Sequence, residues 1–148
     1  MGGKSKFPCS GIIVFKYSKK DIYTILVKSN KGHYSFPKGK KKKKEIYTIC
    51  ALRELYEETN VTLNDITFIR DKNKQLIWLK EYSEKGNPSV IYLVAKYINN
   101  ENSIELNCDS EELECVEWIS VKDAMKLTDF KQSRKDVLLD AISFLSNN

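Results

Sequence analysis

Two β-rich runs lie almost back to back near the start of the chain, Gly11 to Tyr17 (GIIVFKY) and Ile22 to Lys28 (IYTILVK). Only Ser18-Lys19-Lys20-Asp21 separates them, a polar stretch with the length of a hairpin loop. A link that short joins antiparallel strands, because a parallel pair needs a crossover of roughly a dozen residues. Tyr34-Ser35-Phe36 is a further short extended piece, stopped by Pro37. Glu45 to Glu58 has apolar residues at Ile46, Ile49, Cys50, Leu52, Leu55 and Tyr56, near helical spacing. Asn60 stands where a left-handed helix cap belongs. Leu76 to Lys80, Ser89 to Tyr97 and Cys115 to Ser120 are strand candidates, with Gly86-Asn87-Pro88 breaking the chain between the first two. Val121 to Leu127 opens a short helix, and Ser133 to Leu145 is amphipathic, with Val137, Leu138, Ile142 and Leu145 on one stripe. The order is strands, helix, strands, helix. It lacks the alternation of a doubly wound parallel sheet and predicts an α+β architecture, an α/β/α sandwich with a mixed sheet between helices. With 148 residues and no repeat or linker, residues 1–148 are expected to form one domain.

Composition agrees. Apolar residues make up 41% and charged residues 30%, so the chain can build a core and is not a disordered polyelectrolyte. No stretch approaches the eighteen or so apolar residues of a membrane span. Met1-Gly2-Gly3-Lys4-Ser5-Lys6 lacks a signal-peptide core. It also departs from a myristoylation start, because Lys6 stands where Ser or Thr is wanted. Asn99-Asn100 and Asn147-Asn148 are short enough for a turn and a frayed end. Cys9, Cys50, Cys108 and Cys115 show no CxxC spacing. Reduced thiols and a cytoplasmic location are expected, with the nucleus as the other compartment. The formal charge of +5 leans towards anionic partners, and its distribution matters more than its size.

That distribution is uneven. Glu54, Glu57 and Glu58 fall at i, i+3 and i+4 of the predicted helix and share one face. Taken alone, they read as a solvated acidic face. They also sit near the helix C-terminus, where the macrodipole disfavours acids. Clustered carboxylates repel, and a hard divalent cation such as Mg²⁺, which prefers oxygen ligands, relieves the repulsion. Pro37-Lys38-Gly39 precedes the helix, and Gly allows close backbone approach to a metal or phosphate. Lys40 to Lys44 are five consecutive lysines, a solvated loop in any case and a field that attracts multiply charged anions.

From Gly39 the chain runs Gly39, five residues, Glu45, seven residues, then Arg53-Glu54-Leu55-x-Glu57-Glu58-x-Asn60-Val61. This resembles the Nudix box over 39–61, with Asn60 in place of the second Gly. Gly11 to Phe15, His33 to Gly39, Val90-Ile91-Tyr92, Glu117-Trp118 and Phe130-Lys131 extend the similarity to the animal-type asymmetrical diadenosine tetraphosphate hydrolases of the Nudix family. The resemblance implies a mixed sheet between helices and Mg²⁺-dependent hydrolysis of a dinucleoside tetraphosphate to ATP and AMP, with Mn²⁺ as the other ion that suits oxygen ligands. It implies metal binding by Glu54, Glu57, Glu58, Glu112 and the Gly39 carbonyl. Catalytic roles fall to Arg53, Glu54, Glu57 and Glu58. Arg53 would orient a box glutamate. Glu45 would support the site, and Glu57 or Glu58, with Glu112 third, would serve as general base. Substrate contacts fall to His33, Lys38, Lys40, Tyr82 and Phe130, the aromatic pair stacking adenine. For His33, Glu112 and Phe130 the plainer readings are a structural histidine, a solvated loop acid and core packing. Trp78 and Trp118 read as core.

Two other readings stay open. The lysine run favours a more highly charged substrate, such as a diphosphoinositol polyphosphate or the mRNA 5′ cap. A basic RNA-binding module is the non-enzymatic reading. The clustered acids argue against that module, as does the lack of aromatics among the lysines. The expected partner is thus a small dinucleoside polyphosphate, with polyanion attraction through Lys40–Lys44, no membrane, and a monomeric protein.

Overall fold

The structure, a computed structural model, describes residues 6–99 and 111–147. The Met1-Gly2 start, Asn100, Cys108, Ser110 and Asn148 lie outside the described residues.

The two opening runs form β1 (Cys9–Tyr17) and β2 (Ile22–Ser29), antiparallel in the register Phe15↔Thr24 and Tyr17↔Ile22. The predicted turn closes with Ser18 N–H donating to the Asp21 carbonyl at 2.9 Å. Ile12 to Phe15 are all fully buried, an apolar run without alternation. A strand covered on both faces requires this. Ile13 and Phe15 point into one core and Ile12 and Val14 into the other, as the period of two dictates.

The remaining strands are β3 (Tyr34–Ser35), β4 (Lys38–Lys40), β5 (Ile66–Phe68), β6 (Trp78–Tyr82), β7 (Pro88–Tyr97) and β8 (Leu113–Ser120). They complete a mixed sheet in which β1 runs parallel to β7 and antiparallel to β2, while β8 pairs with β2 and β6 with β7. Helix α1 (Tyr47–Thr59) covers one face through Ala51 and Leu55. On the other, α2 (Val121–Ala124) packs through Ala124 and α3 (Gln132–Ser143) through Val137, Leu138 and Ala141. This is the expected mixed sheet between helices. No helix among the described residues is long and apolar enough to cross a membrane.

Two strands escape the sequence patterns. β4 follows Pro37, which looks like a stop. Proline lacks only the donor, and its carbonyl still accepts from Ile12 N–H at 3.2 Å. Pairing then resumes as Gly11↔Lys38, Ser10↔Gly39 and Cys9↔Lys40. β5 has three residues, too few for a period to register. The helical stripe also needs correction. Cys50 and Leu55 of that stripe are buried, with Ala51 and Thr59 beside them, but Ile46, Ile49 and Tyr56 are half or more exposed. Small residues on that face let the helix lie close to the sheet. α1 ends at Asn60, whose φ of 70° is left-handed and whose N–H donates to the Tyr56 carbonyl. Asn replaces Gly there without breaking the cap. Trp78 and Trp118 are partly buried at the edge of the α1-side core.

Candidate active site

β4 places the chain beside the flank of α1. Gly39 touches the Glu54 carboxylate so closely that a Cβ would overlap it. Across the same gap Lys38 N–H donates to Glu58 Oε1 at 3.1 Å. The helical spacing thus puts Glu54 and Glu58 against the loop, while Glu57, half exposed, lies at its outer edge.

Arg53 organises these acids. Its Nε and Nη2 donate to the two Glu45 carboxylate oxygens at 2.8 and 3.0 Å. Nη1 reaches Glu54 at 3.2 Å and both Glu57 oxygens at 3.3 Å, and Nη2 also takes the Lys40 carbonyl at 3.0 Å. The planar fork suits a bidentate grip. Hydrogen bonding to Arg53 holds the Glu45 carboxyl down at about 2. Among the described residues no ion pair engages Glu58. Burial, reinforced by the Glu54 charge and opposed by the Lys38 N–H, pushes its carboxyl up to about 8. Burial also raises Glu54.

These groups line one cavity of about 1130 Å³. One wall carries Arg53, Glu54, Glu57 and Glu58, another Lys38 to Lys42, and a third Glu111 and Glu112 from the approach to β8. Among the described residues, no ion pair engages Lys38 or Lys40 to Lys44. Of the predicted residues, the structure brings together Lys38, Gly39, Lys40, Arg53, Glu54, Glu57, Glu58 and Glu112. Tyr82 lines a second cavity of about 770 Å³, beside Lys85 and Lys131. It is 46% exposed and meets Phe7 edge-on at 5.6 Å. His33 lies exposed in the turn between β2 and β3 and lines neither cavity. Phe130 is buried, with its ring edge-on to Phe36 at 5.6 Å, so the side chain expected to stack adenine is core packing here. Sequence reasoning missed Cys9 and Ser29 on the first cavity and the polar cluster behind Tyr82. The Cys9↔Lys40 pairing, which brings Cys9 there, depends on the hidden strand β4.

The donor set suits a hard divalent cation: carboxylates beside a glycine cradle, one of them, Glu58, half-buried and outside the Arg53 grip. Among the described residues, no group of three acids, histidines or cysteines converges as it stands. Arg53 holds Glu54 and Glu57, and the Gly39 carbonyl accepts the Cys50 thiol at 3.6 Å. The cradle is testable. In Gly39→Ala the new methyl must push the flexible Glu54 carboxylate aside. We expect a folded protein whose half-saturating Mg²⁺ concentration rises about 10- to 100-fold. An unchanged Mg²⁺ titration would show that Glu54 does not need this position.

Fold and site together define a class. The chain belongs to the NUDIX domain family, whose pattern residues 8–141 match. Among individual proteins, it is 29% identical to a bis(5′-nucleosyl)-tetraphosphatase [asymmetrical] of Caenorhabditis elegans over 126 residues, 83% of this chain and 86% of that one. A Mus musculus protein of the same name is 27% identical over 132 residues, 84% of this chain and 86% of the other. A crystal structure of a C. elegans Ap4A hydrolase binary complex superposes with a TM-score of 0.75 at 25% identity, covering 95% of this chain and 98% of that one.

Proposed function

We propose that the protein hydrolyses diadenosine tetraphosphate asymmetrically, to ATP and AMP, with Mg²⁺ as cofactor and Mn²⁺ as a substitute. The observation that carries this is one cavity with three carboxylates on one wall and, on the other, lysines that no ion pair engages among the described residues. Support comes from the relatives named above, whose names give this activity. Glu54, Glu57 and Glu58 would hold the cation, with Glu112 within the same cavity. When bound, the cation neutralises phosphate charge and lowers the pKa of water.

The chain's own residues do the rest. Lys38 and Lys40 attract and place the phosphates as point charges. Water adds to a phosphorus and the bridging P–O bond breaks, ATP and AMP being the two products. We favour Glu58 as acceptor of the water proton. Its Oε1 takes the Lys38 N–H, and among the described residues no hydrogen bond reaches its other oxygen. Glu57 is the other candidate, with both oxygens occupied by Arg53. Arg53 holds the carboxylates in register. Tyr82 offers an exposed ring for a base.

The lysine wall favours a second reading, hydrolysis of a diphosphoinositol polyphosphate or a capped RNA 5′ end. Product analysis separates these. With diadenosine tetraphosphate and Mg²⁺, the wild type is expected to yield ATP plus AMP, and Glu57→Gln about a hundredth as much or less. Failure of the wild type to cleave, with turnover of an inositol pyrophosphate or capped RNA, would move the substrate. Salt-steep RNA binding with no turnover of any of the three would favour the basic module.

A further inference from the structure

Behind Tyr82 lies a buried polar cluster that the proposed chemistry does not use. Arg134, on the first turn of α3, is 9% exposed, and Glu81, on β6, is 4% exposed. Arg134 Nε donates to Glu81 Oε2 at 3.2 Å, and Tyr92 O–H, fully buried on β7, donates to Glu81 Oε1 at 2.6 Å. Arg134 Nη1 also donates to the Tyr34 carbonyl on β3 at 2.8 Å. One guanidinium thus spans partners 53 and 100 residues away.

Each partner leads to a site element. Glu81 immediately precedes Tyr82, and the β6–β7 register shifts between those two residues. An irregularity of this kind re-aims a side chain and needs a neighbour to hold it. Tyr34 is bridged to Phe130, and its N–H donates to the Asp129 carbonyl at 3.0 Å, which ties β3 to the start of α3. Two residues beyond Tyr34, the Phe36 ring packs edge-on to Tyr92 at 5.2 Å and leads into Pro37, Lys38 and Gly39. A buried ion pair is a poor device for stability alone, because an apolar replacement often serves as well. It does fix geometry where three segments must meet.

We propose that Arg134 is a positioning residue that, through Glu81 and the Tyr34 carbonyl, locks the wall carrying Tyr82 and Lys131 at a set distance from the Lys38–Gly39 segment of the carboxylate cavity. The inference rests on the nucleotide-hydrolase reading. Among the described residues Arg134 pairs with Glu81 and not with Glu54, Glu57 or Glu58, so its effect falls on substrate placement. Misplacement of a substrate wall by an ångström costs up to about a hundredfold.

The test compares the wild type with Glu81→Gln/Arg134→Met and with Arg134→Lys. The double variant removes both charges and leaves Tyr92 an amide oxygen to donate to. Its melting temperature is expected to stay within about 5 °C of wild type, because no charge is left unpaired. Its KM for diadenosine tetraphosphate is expected to rise about tenfold while kcat changes less than about threefold. Arg134→Lys keeps the charge, loses the fork and should show an intermediate KM. A wild-type KM in both variants, or a kcat loss as large as the KM rise, overturns the proposal. If the wild type itself fails to cleave the substrate, the hydrolase reading fails and the positioning role falls with it. A cleaving wild type with unaltered variants removes the positioning role alone.

Discussion

The Glu58→Gln protein is expected to be nearly inactive and, without divalent cation above neutral pH, more heat-stable than the wild type. Both effects follow from one half-buried carboxyl. The ordinary glutamate value is 4.5, and here burial, reinforced by the Glu54 charge, pushes it up to about 8. Below pH 4.5 the group is protonated in folded and unfolded chains alike. Between 4.5 and about 8 the unfolded chain releases the proton while the folded protein keeps it, so stability falls as pH rises, and the fall ends above the folded value. The loss is on the order of a few kcal/mol. Gln cannot ionise, can still accept the Lys38 N–H, and removes the slope. Melting the two proteins in chelator at about pH 5 and about pH 8.5 reads it directly. Saturating Mg²⁺ should raise the wild-type melting temperature at the higher pH and leave the variant nearly unmoved, since a ligand stabilises only the state that binds it. Turnover should fall about 10²- to 10⁴-fold, the range for a removed general base. A wild-type melting temperature independent of pH in chelator would mean that the carboxylate is not buried as a charge at all.

The same helix shows what a sequence makes legible. Glu54, Glu57 and Glu58 could be placed on one face because helical geometry turns spacing into direction, and Arg53 joined them through the resemblance. Gly39 and Glu45 joined them through a resemblance, and the structure supplies the contacts: a close glycine and a bidentate grip. The limit appears one turn earlier. The expected stripe holds at Cys50 and Leu55, but Ile46, Ile49 and Tyr56 face solvent, because the sheet side runs through Ala51 and Thr59, small residues that let the helix approach closely. Two apolar stripes on one helix compete, and periodicity alone does not choose between them. Phe130 follows the same logic in reverse. The resemblance implied an aromatic free to stack, while the bridge to Tyr34 draws it under α3 into the core. The Glu81–Tyr92–Arg134 cluster was illegible for a different reason. Its members lie 11 and 53 residues apart and meet only once the sheet has formed.

Arg53→Lys is expected to cost most of the activity although the charge is kept. The guanidinium makes separate contacts with Glu45, Glu54, Glu57 and the Lys40 carbonyl, and an ammonium has neither the reach nor the planar fork to make them together. Glu54 and Glu57 would lose their fixed positions, and kcat should fall about a hundredfold. Arg53→Ala goes further. Glu45 is 10% and Glu54 13% exposed at the side chain, so both would remain as nearly buried, unpaired acids. Acid sensitivity separates this effect from a general loss of packing. In the wild type the Arg53 hydrogen bonds hold Glu45 down at about 2, against an ordinary 4.5. The stabilisation they provide is complete above 4.5 and disappears as pH falls through about 2. Without Arg53 the Glu45 carboxyl titrates nearer its ordinary value or above it, so the acid unfolding midpoint should move to higher pH in Arg53→Ala, and by less in Arg53→Lys. Circular dichroism across an acid titration measures the shift. A Lys variant that keeps kcat within about threefold of wild type would show that charge, and not the fork, does the positioning, and would reduce Arg53 to a counter-ion for the acidic cluster.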